Sequence, residues 1–534
     1  MGELAKIENI CELNKTSLVF KREVTKEEWQ QVFTTLQQVE GCVQFWIGDC
    51  LAYREQRWGM YEGINGMTPE LKKMIDEAPT EIKRSMILEI LEDNTPEHRI
   101  IATAIQKLIK RGVLGESSHI KEVVKMLREY VKVSDVEIKK YGEIMTPIEL
   151  VEEMLDTLPA TVWMSPNLKW LDPCNGVGTF ISVVVQRLMK GLEWTIPNEE
   201  ERYKHIMEEM IYVCELQPKN VFLYMYAFDP ENKYAMNIYN GSFLSDGFNK
   251  HMSLLGVDKF DVIVMNPPYN NGSSNKSNVL WDKFVFKTID NLNDGGYLVA
   301  VHPAGWRNID GAYKTTQNLL KSKQITYLEI HNEKDGQKTF GATTRYDFYC
   351  LQNVPCSVNT KIKCEDGTIE RVDISKMEFI PNGMFKTYQK LLPKRDEENV
   401  EVLQNCAYHA QKSSVSKIKT EEHKFPCIHS VKSGDVLNLQ YSTSNTLGHF
   451  GVPKLVWSSF AAQSAGSYID DGGEYGMTQF SYGIVDEVEK LPYIKRAFDS
   501  KEFRNLMIAC STSVARINPK IVATFRKDFW MDFI

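Results

Sequence analysis

Phe260-Asp261-Val262-Ile263-Val264-Met265-Asn266-Pro267-Pro268-Tyr269 joins an apolar run to a short polar and aromatic turn. The apolar run predicts a buried strand, and a polar amide, two prolines and an aromatic ring follow where it ends. In open α/β sheets, ligands bind outside the carboxyl ends of the strands. Consecutive prolines stiffen the backbone and remove its donors, which leaves a turn rich in acceptors. The Asn266 side-chain oxygen and the Pro267 carbonyl can each accept one hydrogen of an exocyclic amine, and Tyr269 can stack on the ring that carries it.

Working outward, Trp170-Leu171-Asp172-Pro173-Cys174-Asn175-Gly176-Val177-Gly178-Thr179-Phe180 reads as a short strand, a glycine loop and the start of a helix running to Leu188. Glycines there let a ligand approach the backbone, and the helix N-terminus offers free N–H groups. The missing third glycine and the leading Asp-Pro argue against the dinucleotide fingerprint. Asp172 suits a cofactor that carries a positive charge or hydroxyl groups. Strand and helix alternate from Trp170 to about Leu351, which predicts a mainly parallel sheet covered on both sides. The polar segment 270–278 reads as a loop, and Thr360 to Val372 alternates around Asp366-Gly367 as a β-hairpin.

Asp-Pro-x-x-Gly-x-Gly followed by Asn-Pro-Pro-Tyr resembles the S-adenosylmethionine-dependent amino-methyltransferases of DNA. Tyr141-Gly142-Glu143-Ile144-Met145-Thr146-Pro147 is similar to the Thr-Pro element that opens the catalytic domain of the gamma-ordered N6-adenine enzymes, including restriction-modification ones. The likeness runs over roughly residues 140–350. It implies a Rossmann-like methyltransferase sheet, S-adenosyl-L-methionine as cofactor and double-stranded DNA as partner, with an adenine flipped out of the helix. Carried over by position, Thr146, Pro147, Asp172, Pro173, Gly176, Gly178, Glu215, Ser242, Phe243 and Asn266 would bind the cofactor. Asn266, Pro267, Pro268 and Tyr269 would be catalytic. Glu215, at the end of Val213-Cys214-Glu215, would accept from the ribose hydroxyls. Tyr269 and Phe340 are the base-stacking candidates, and a plain core role for Phe340 stands equally open. Two positions depart from the pattern: Ser242 stands where Asp is usual, leaving Asn240 or a backbone group to meet the cofactor adenine, and Asn175 replaces a small residue or Cys.

The chain has 534 residues, 43% of them hydrophobic, and a formal net charge of −8, so DNA contact would have to come from local basic patches. Its 11 cysteines include no C-x-x-C pair and read as reduced thiols. Cys356 and Cys364 lack zinc spacing, Pro426-Cys427 reads as structural, and no metal site is expected. Neither a signal-peptide core nor an apolar stretch of about 18 residues is present. A cytoplasmic location, in a bacterial or phage-infected cell, is the expectation. Oligomeric state stays open.

Three domains are expected: a helical module over 1–135, the methyltransferase domain over 136–380, and an α+β target-recognition domain over 381–534. In the first, Thr25 and Glu28 form a capping-box pattern ahead of Trp29, Val32, Phe33 and Leu36. Val43 to Tyr61 resembles a helical region of DNA-associated proteins, its aromatics reading as core. Helices are expected over 97–112 and 118–130, with Arg99, Lys107, Lys110, Arg111, Lys121, Lys125 and Arg128 as a solvated face or a DNA-backbone surface. In the last domain Lys412, Lys417, Lys419, Lys424, Lys432, Lys454, Arg504, Arg516, Lys520, Arg526 and Lys527 are the DNA-contact candidates. Competing readings are a single polypeptide that also cuts DNA, for which Glu81-Ile82-Lys83 and Glu137-Ile138-Lys139 are the candidate strings, and a non-catalytic DNA-binding module on the same fold.

Overall fold

The computed structural model describes residues 7, 9–13, 18–38, 119–130, 145–230, 233–270, 279–309, 311–403, 406–458, 466–511 and 516–534. The segment Val43 to Tyr61, the helix expected over 97–112, both Glu-Ile-Lys strings, residues 141–144 of the Thr-Pro element and 271–278 of the polar loop lie outside them. The expected capping box is present. Glu28 N–H donates to Thr25 Oγ1 at 3.2 Å and Thr25 N–H to Glu28 Oε2 at 3.0 Å, opening the helix Lys26–Gln38, in which Trp29 and Val32 are buried.

The chain divides into two compact units: residues 1–303 with 319–328 and 334–357, and residues 304–318 with 329–333 and 358–534. In the first, the strands are β1 (Trp170–Asp172), β2 (Ile211–Glu215), β3 (Asn237–Asn240), β4 (Phe260–Met265), β5 (Leu292–Pro303), all but the last three residues of β6 (Lys323–His331), and β7 (Tyr346–Pro355). Their order in the sheet is β3-β2-β1-β4-β5-β7-β6. Pairing from β3 through to β5 is parallel, and β7 runs antiparallel to β5. Every residue of β1, β2 and β3 is buried, as strands covered on both faces must be.

Helices α1 (Ile120–Tyr130), α2 (Ile148–Leu155), α3 (Thr179–Gly191), α4 (Pro218–Phe228), α5 (Asp246–Leu254) and α6 (Trp281–Asp290) accompany these strands. Val123, Val124 and Leu127 of α1 share one core with Val151 and Met154 of α2, with α3 and with α4, along with Val262 and Val264 of β4. This is the doubly wound α/β architecture expected from the alternation of strand and helix. The order reverses between β1 and β4: β2 and β3 are added on one side, β4 and β5 on the other. A crevice at that reversal, outside the carboxyl ends of the strands, is where such sheets take ligands.

In the second unit, Thr360–Lys363 pairs antiparallel with Ile369–Val372 around Asp366-Gly367, the hairpin expected there. Two four-stranded sheets follow. One is Glu401–Leu403, Ser481–Val485, Lys454–Ser458 and Ser467–Asp470; the other is Val415–Ser416, Val436–Ser442, Phe425–Lys432 and Gly476–Met477. Helices Leu491–Asp499 and Lys501–Ala509 come after them.

Lys454, expected among the DNA-contact candidates, is 0% exposed and ion-paired at 2.5 Å to Asp470, its cross-strand neighbour, which is 1% exposed. Its strand is buried along its whole length, so the ammonium has no access to a phosphate. Lys412, Lys417, Lys419, Lys424 and Lys432 are exposed, as expected. Arg526 pairs with Asp528 and Asp532, Lys527 with Glu398 and Arg504 with Asp499.

Candidate active site

The crevice at the β1/β4 reversal holds a cavity of about 280 Å³. Its wall includes Thr146, Pro173, Gly176, Glu215, Ser242, Phe243, Asn266 and Pro268, contributed by four separate strand ends and the segment leading into α2. Asp172 lies beneath, 1% exposed, holding the glycine loop from inside. Of the remaining site residues expected from the sequence, Gly178 and Pro267 sit behind the lining. Pro147 stands at the N-cap of α2 and faces a different cavity, with Lys125 and Glu149.

The glycine loop is shaped by two left-handed residues. Gly178 has φ +89°, and a Cβ there would fall 2.7 Å from the rings of Phe228 and Tyr224, so this position excludes any side chain. Gly176 has φ +54° and open space around its missing Cβ, leaving room for a ligand against the backbone. Asn175 N–H donates to the Cys214 carbonyl at 3.0 Å, tying the loop to β2.

Two carboxylates govern the electrostatics. Glu215 Oε2 accepts from Gly176 N–H at 2.7 Å, and Oε1 from Gln217 N–H at 2.7 Å. Asp172 Oδ1 accepts from Cys174 N–H at 3.0 Å. Burial, opposed by the Cys174 hydrogen bond and reinforced by the negative charge of Glu215, pushes the Asp172 carboxyl up to about 8. Against these acceptors stand apolar walls from Val177, Phe180, Leu216, Leu244, Leu280 and Phe284. A hydrogen-bonded carboxylate, a buried carboxyl that a nearby cation would ionise and apolar walls fit a ligand that combines a positive charge, hydroxyl donors and a flat ring.

At the other end of the cavity, Asn266 Nδ2 donates to Thr146 Oγ1 at 2.9 Å, across 120 residues of sequence. That bond fixes the plane of the amide and turns its oxygen away from Thr146. The Cys174 thiol donates to the Asn266 carbonyl at 3.3 Å, joining the glycine loop to the turn. The Tyr269 and Phe340 rings meet edge to face with centroids 6.4 Å apart, and Phe340 meets Tyr346 in the same manner at 4.9 Å. Tyr269 Oη is buried without a hydrogen-bond partner among the described residues, and burial pushes its phenol up.

Asn240, the alternative adenine contact, directs its amide elsewhere. Its Nδ2 donates to the carbonyls of Glu215 at 2.9 Å and Leu216 at 3.3 Å, bracing the ends of β2 and β3. Gly241 and Ser242 line the cavity instead. The sequence reading passed over Cys174, Asn175, Gln217, Leu280 and Phe284 as lining residues. For Asn175 and Cys174 the signal was available, since both lie inside the quoted glycine loop. For Phe284 nothing short of the fold could place it. Among the described residues no cluster of three or more His, Cys, Asp or Glu side chains is placed to hold a metal ion, and no helix is long and apolar enough to cross a membrane.

A sheet of this order with a ligand crevice at its reversal point is the Rossmann-like architecture expected for a methyltransferase. Residues 195–340 match the family described as Eco57I restriction-modification methylase. A protein of Mycoplasma pneumoniae (strain ATCC 29342 / M129 / Subtype 1) described as an uncharacterized adenine-specific methylase is 27% identical over 333 residues, 47% of this chain and 78% of that protein. Solved structures similar to the chain include the type I restriction-modification system methyltransferase subunit from Streptococcus thermophilus, at 14% identity and TM-score 0.36 over 66% of this chain and 82% of that one. Another is the ATP-dependent Type ISP restriction-modification enzyme LlaBIII bound to DNA, at 10% identity and TM-score 0.46. That alignment takes in 94% of this chain but 46% of the other, so the chain spans less than half the length of that enzyme. The resemblance to restriction-modification adenine methylases, and with it the class of enzyme, a methyltransferase, is borne out by the family match and the Mycoplasma relative.

Proposed function

We propose that the protein is a site-specific DNA adenine-N6 methyltransferase that uses S-adenosyl-L-methionine. The observation that carries this reading is the convergence, on one cavity, of two buried carboxylates at adjacent strand ends and the Asn266 turn at the next strand. When bound, S-adenosylmethionine supplies a methyl group on a positively charged sulfur, activated for direct displacement by a nucleophile.

Glu215, already held by Gly176 and Gln217, accepts from the ribose hydroxyls, and the Asp172 carboxylate offsets positive charge. Phe243, Phe284 and Leu216 form an apolar slot for the cofactor's adenine, with backbone groups near Ser242 in place of the usual Asp. Thr146 holds the Asn266 amide so that its oxygen, together with the Pro267 carbonyl, accepts the two hydrogens of the target amine. Those bonds draw the nitrogen lone pair out of conjugation with the ring and aim it. Pro268 keeps the turn stiff. Tyr269, with Phe340 at its edge, stacks on the extruded base. With the cofactor bound, the amine nitrogen held by Asn266 and Pro267 would take the methyl directly from the sulfur and lose one proton to water. No covalent enzyme intermediate is needed, and positioning supplies most of the acceleration.

A paired adenine keeps its amine inside the duplex, so the base is flipped out at a cost of about a few kcal/mol. The exposed lysines from Lys412 to Lys432, within the proposed target-recognition domain over 381–534, provide phosphate contacts. Residues 136–380, with the helix Ile120–Tyr130 packed on the same core, are the proposed catalytic part of the chain, and the cytoplasm the place of action.

Incubation with methyl-labelled cofactor and duplex DNA, with and without magnesium, tests the reading. Label in adenine without strand breaks is the expected result. Magnesium-dependent breaks would show an added nuclease, and neither label nor breaks would leave only a DNA-binding module.

A further inference from the structure

Asn175 stands where the family resemblance leads one to expect a small residue or Cys, and its surroundings give it a purpose. Its backbone is held at both ends: the N–H donates to Cys214 and the carbonyl accepts from Gly178 N–H at 2.9 Å. The side-chain amide Nδ2 donates to the Gly176 carbonyl at 3.3 Å, which fixes the plane of the group. The residue is 5% exposed, and Oδ1 is buried with no hydrogen-bond partner among the described residues. Asn175 also lines the cavity between Asp172 and Glu215 described above.

A buried amide oxygen left without a donor is costly, and nearly all such atoms in folded proteins find one. With the loop fixed by its backbone bonds, the donor must come from what enters the cavity. We propose that Asn175 Oδ1 accepts a hydrogen bond from the α-ammonium of the cofactor's methionine moiety, making it a specificity-determining residue for the amino-acid end of the ligand. This rests on the reading of the cavity as a cofactor site. The ribose hydroxyls are matched to Glu215, so the α-ammonium is the strong donor that remains. Asn175 presents a neutral acceptor on the same short loop that Asp172 holds through Cys174 N–H. A charge-assisted bond of this kind is stronger than one between neutral groups.

The test is calorimetric binding of two ligands to the full chain: S-adenosylhomocysteine, which has the α-ammonium, and 5′-methylthioadenosine, which keeps the nucleoside and lacks it. Asn175→Ala is expected to weaken S-adenosylhomocysteine by about tenfold or more and to leave 5′-methylthioadenosine within about twofold. Asn175→Asp keeps an acceptor in the same place and is expected to hold S-adenosylhomocysteine within about threefold of the unaltered protein. Equal weakening of both ligands by Asn175→Ala would assign the residue to the loop scaffold and overturn the proposal, as would unchanged binding of S-adenosylhomocysteine. If the unaltered protein binds neither ligand, the cofactor reading of the cavity fails first and takes this inference with it.

Discussion

Each compact unit buries a cluster of charge, and the two clusters differ in how their polar groups are satisfied. In the second unit, Lys454 and Asp470 face each other across antiparallel strands. The ammonium donates to Asp470 Oδ2 and to the carbonyls of His449 at 2.9 Å and Val452 at 3.2 Å. Asp470 in turn accepts from the N–H groups of Glu474 at 2.7 Å and Tyr475 at 3.1 Å. Opposite charges are present in equal number and all three ammonium donors are matched. In the first unit, Asp172 and Glu215 bring two carboxyl groups together beneath a cavity, where backbone N–H groups donate to both and Asn220 Nδ2 donates to Glu215 Oε1 at 3.5 Å. A closed, balanced cluster is architecture. A pair of carboxyl groups beside open space suits a ligand that brings positive charge.

Substitutions sharpen that contrast, beginning with the largest effect. Asn266→Ala should lower methyl transfer to DNA by about a thousandfold, in the range seen when one preorganised hydrogen-bonding group is removed from an active site. Affinity for S-adenosylhomocysteine should change by less than about threefold, because the carboxylate end of the cavity is untouched. Single-turnover kinetics with parallel calorimetry separates the two, and a variant that transfers methyl groups at an unchanged rate would break the assignment of the turn.

Lys454→Ala comes next. Stranding Asp470 in the interior should cost about 3–5 kcal/mol in urea unfolding, while pairing Lys454→Met with Asp470→Leu should recover most of that loss. Neither change should move S-adenosylhomocysteine affinity. A shift in that affinity would erase the distinction between the two clusters. The smallest effect belongs to Thr146→Val, which removes the acceptor for Asn266 Nδ2. It should lower kcat by about five- to tenfold with little change in cofactor affinity; a change confined to KM would mean that Thr146 contacts the ligand and does not position Asn266.

How far the sequence revealed this follows from where each signal lies. The apolar run ending at Asn266, the strand-loop-helix at Asp172 and the acid at Glu215 are local patterns, and each element appears within a few residues of its expected bounds. The Asn266–Thr146 bond is not local, since only closure of the sheet brings residues 120 positions apart together. Lys454 misled for a related reason. In sequence it sits with other lysines near an aromatic, which suggests a DNA-facing patch. The partner that takes it inside, Asp470, belongs to another strand, and the buried run Leu455-Val456-Trp457 beside it was the available warning. Asn240 likewise reads as a ligand contact until the register places it against Glu215.

The most direct measurement of the central claim, that the cavity over Asp172 and Glu215 takes a cationic cofactor, is proton exchange on binding. Asp172 has its carboxyl raised to about 8, so it holds a proton between its ordinary carboxylate range and that value. A bound cation favours the ionised form and releases that proton, so affinity for S-adenosylmethionine should rise with pH between about 6 and 8, by at most about tenfold per unit. The same sign check applied to folding makes the ligand-free protein lose stability as pH rises from about 4 towards 8. Calorimetry in buffers of different ionisation enthalpy should record up to one proton released per S-adenosylmethionine bound at pH 7, and none in Asp172→Asn. Binding that is independent of pH, or proton release that survives in Asp172→Asn, would contradict the account.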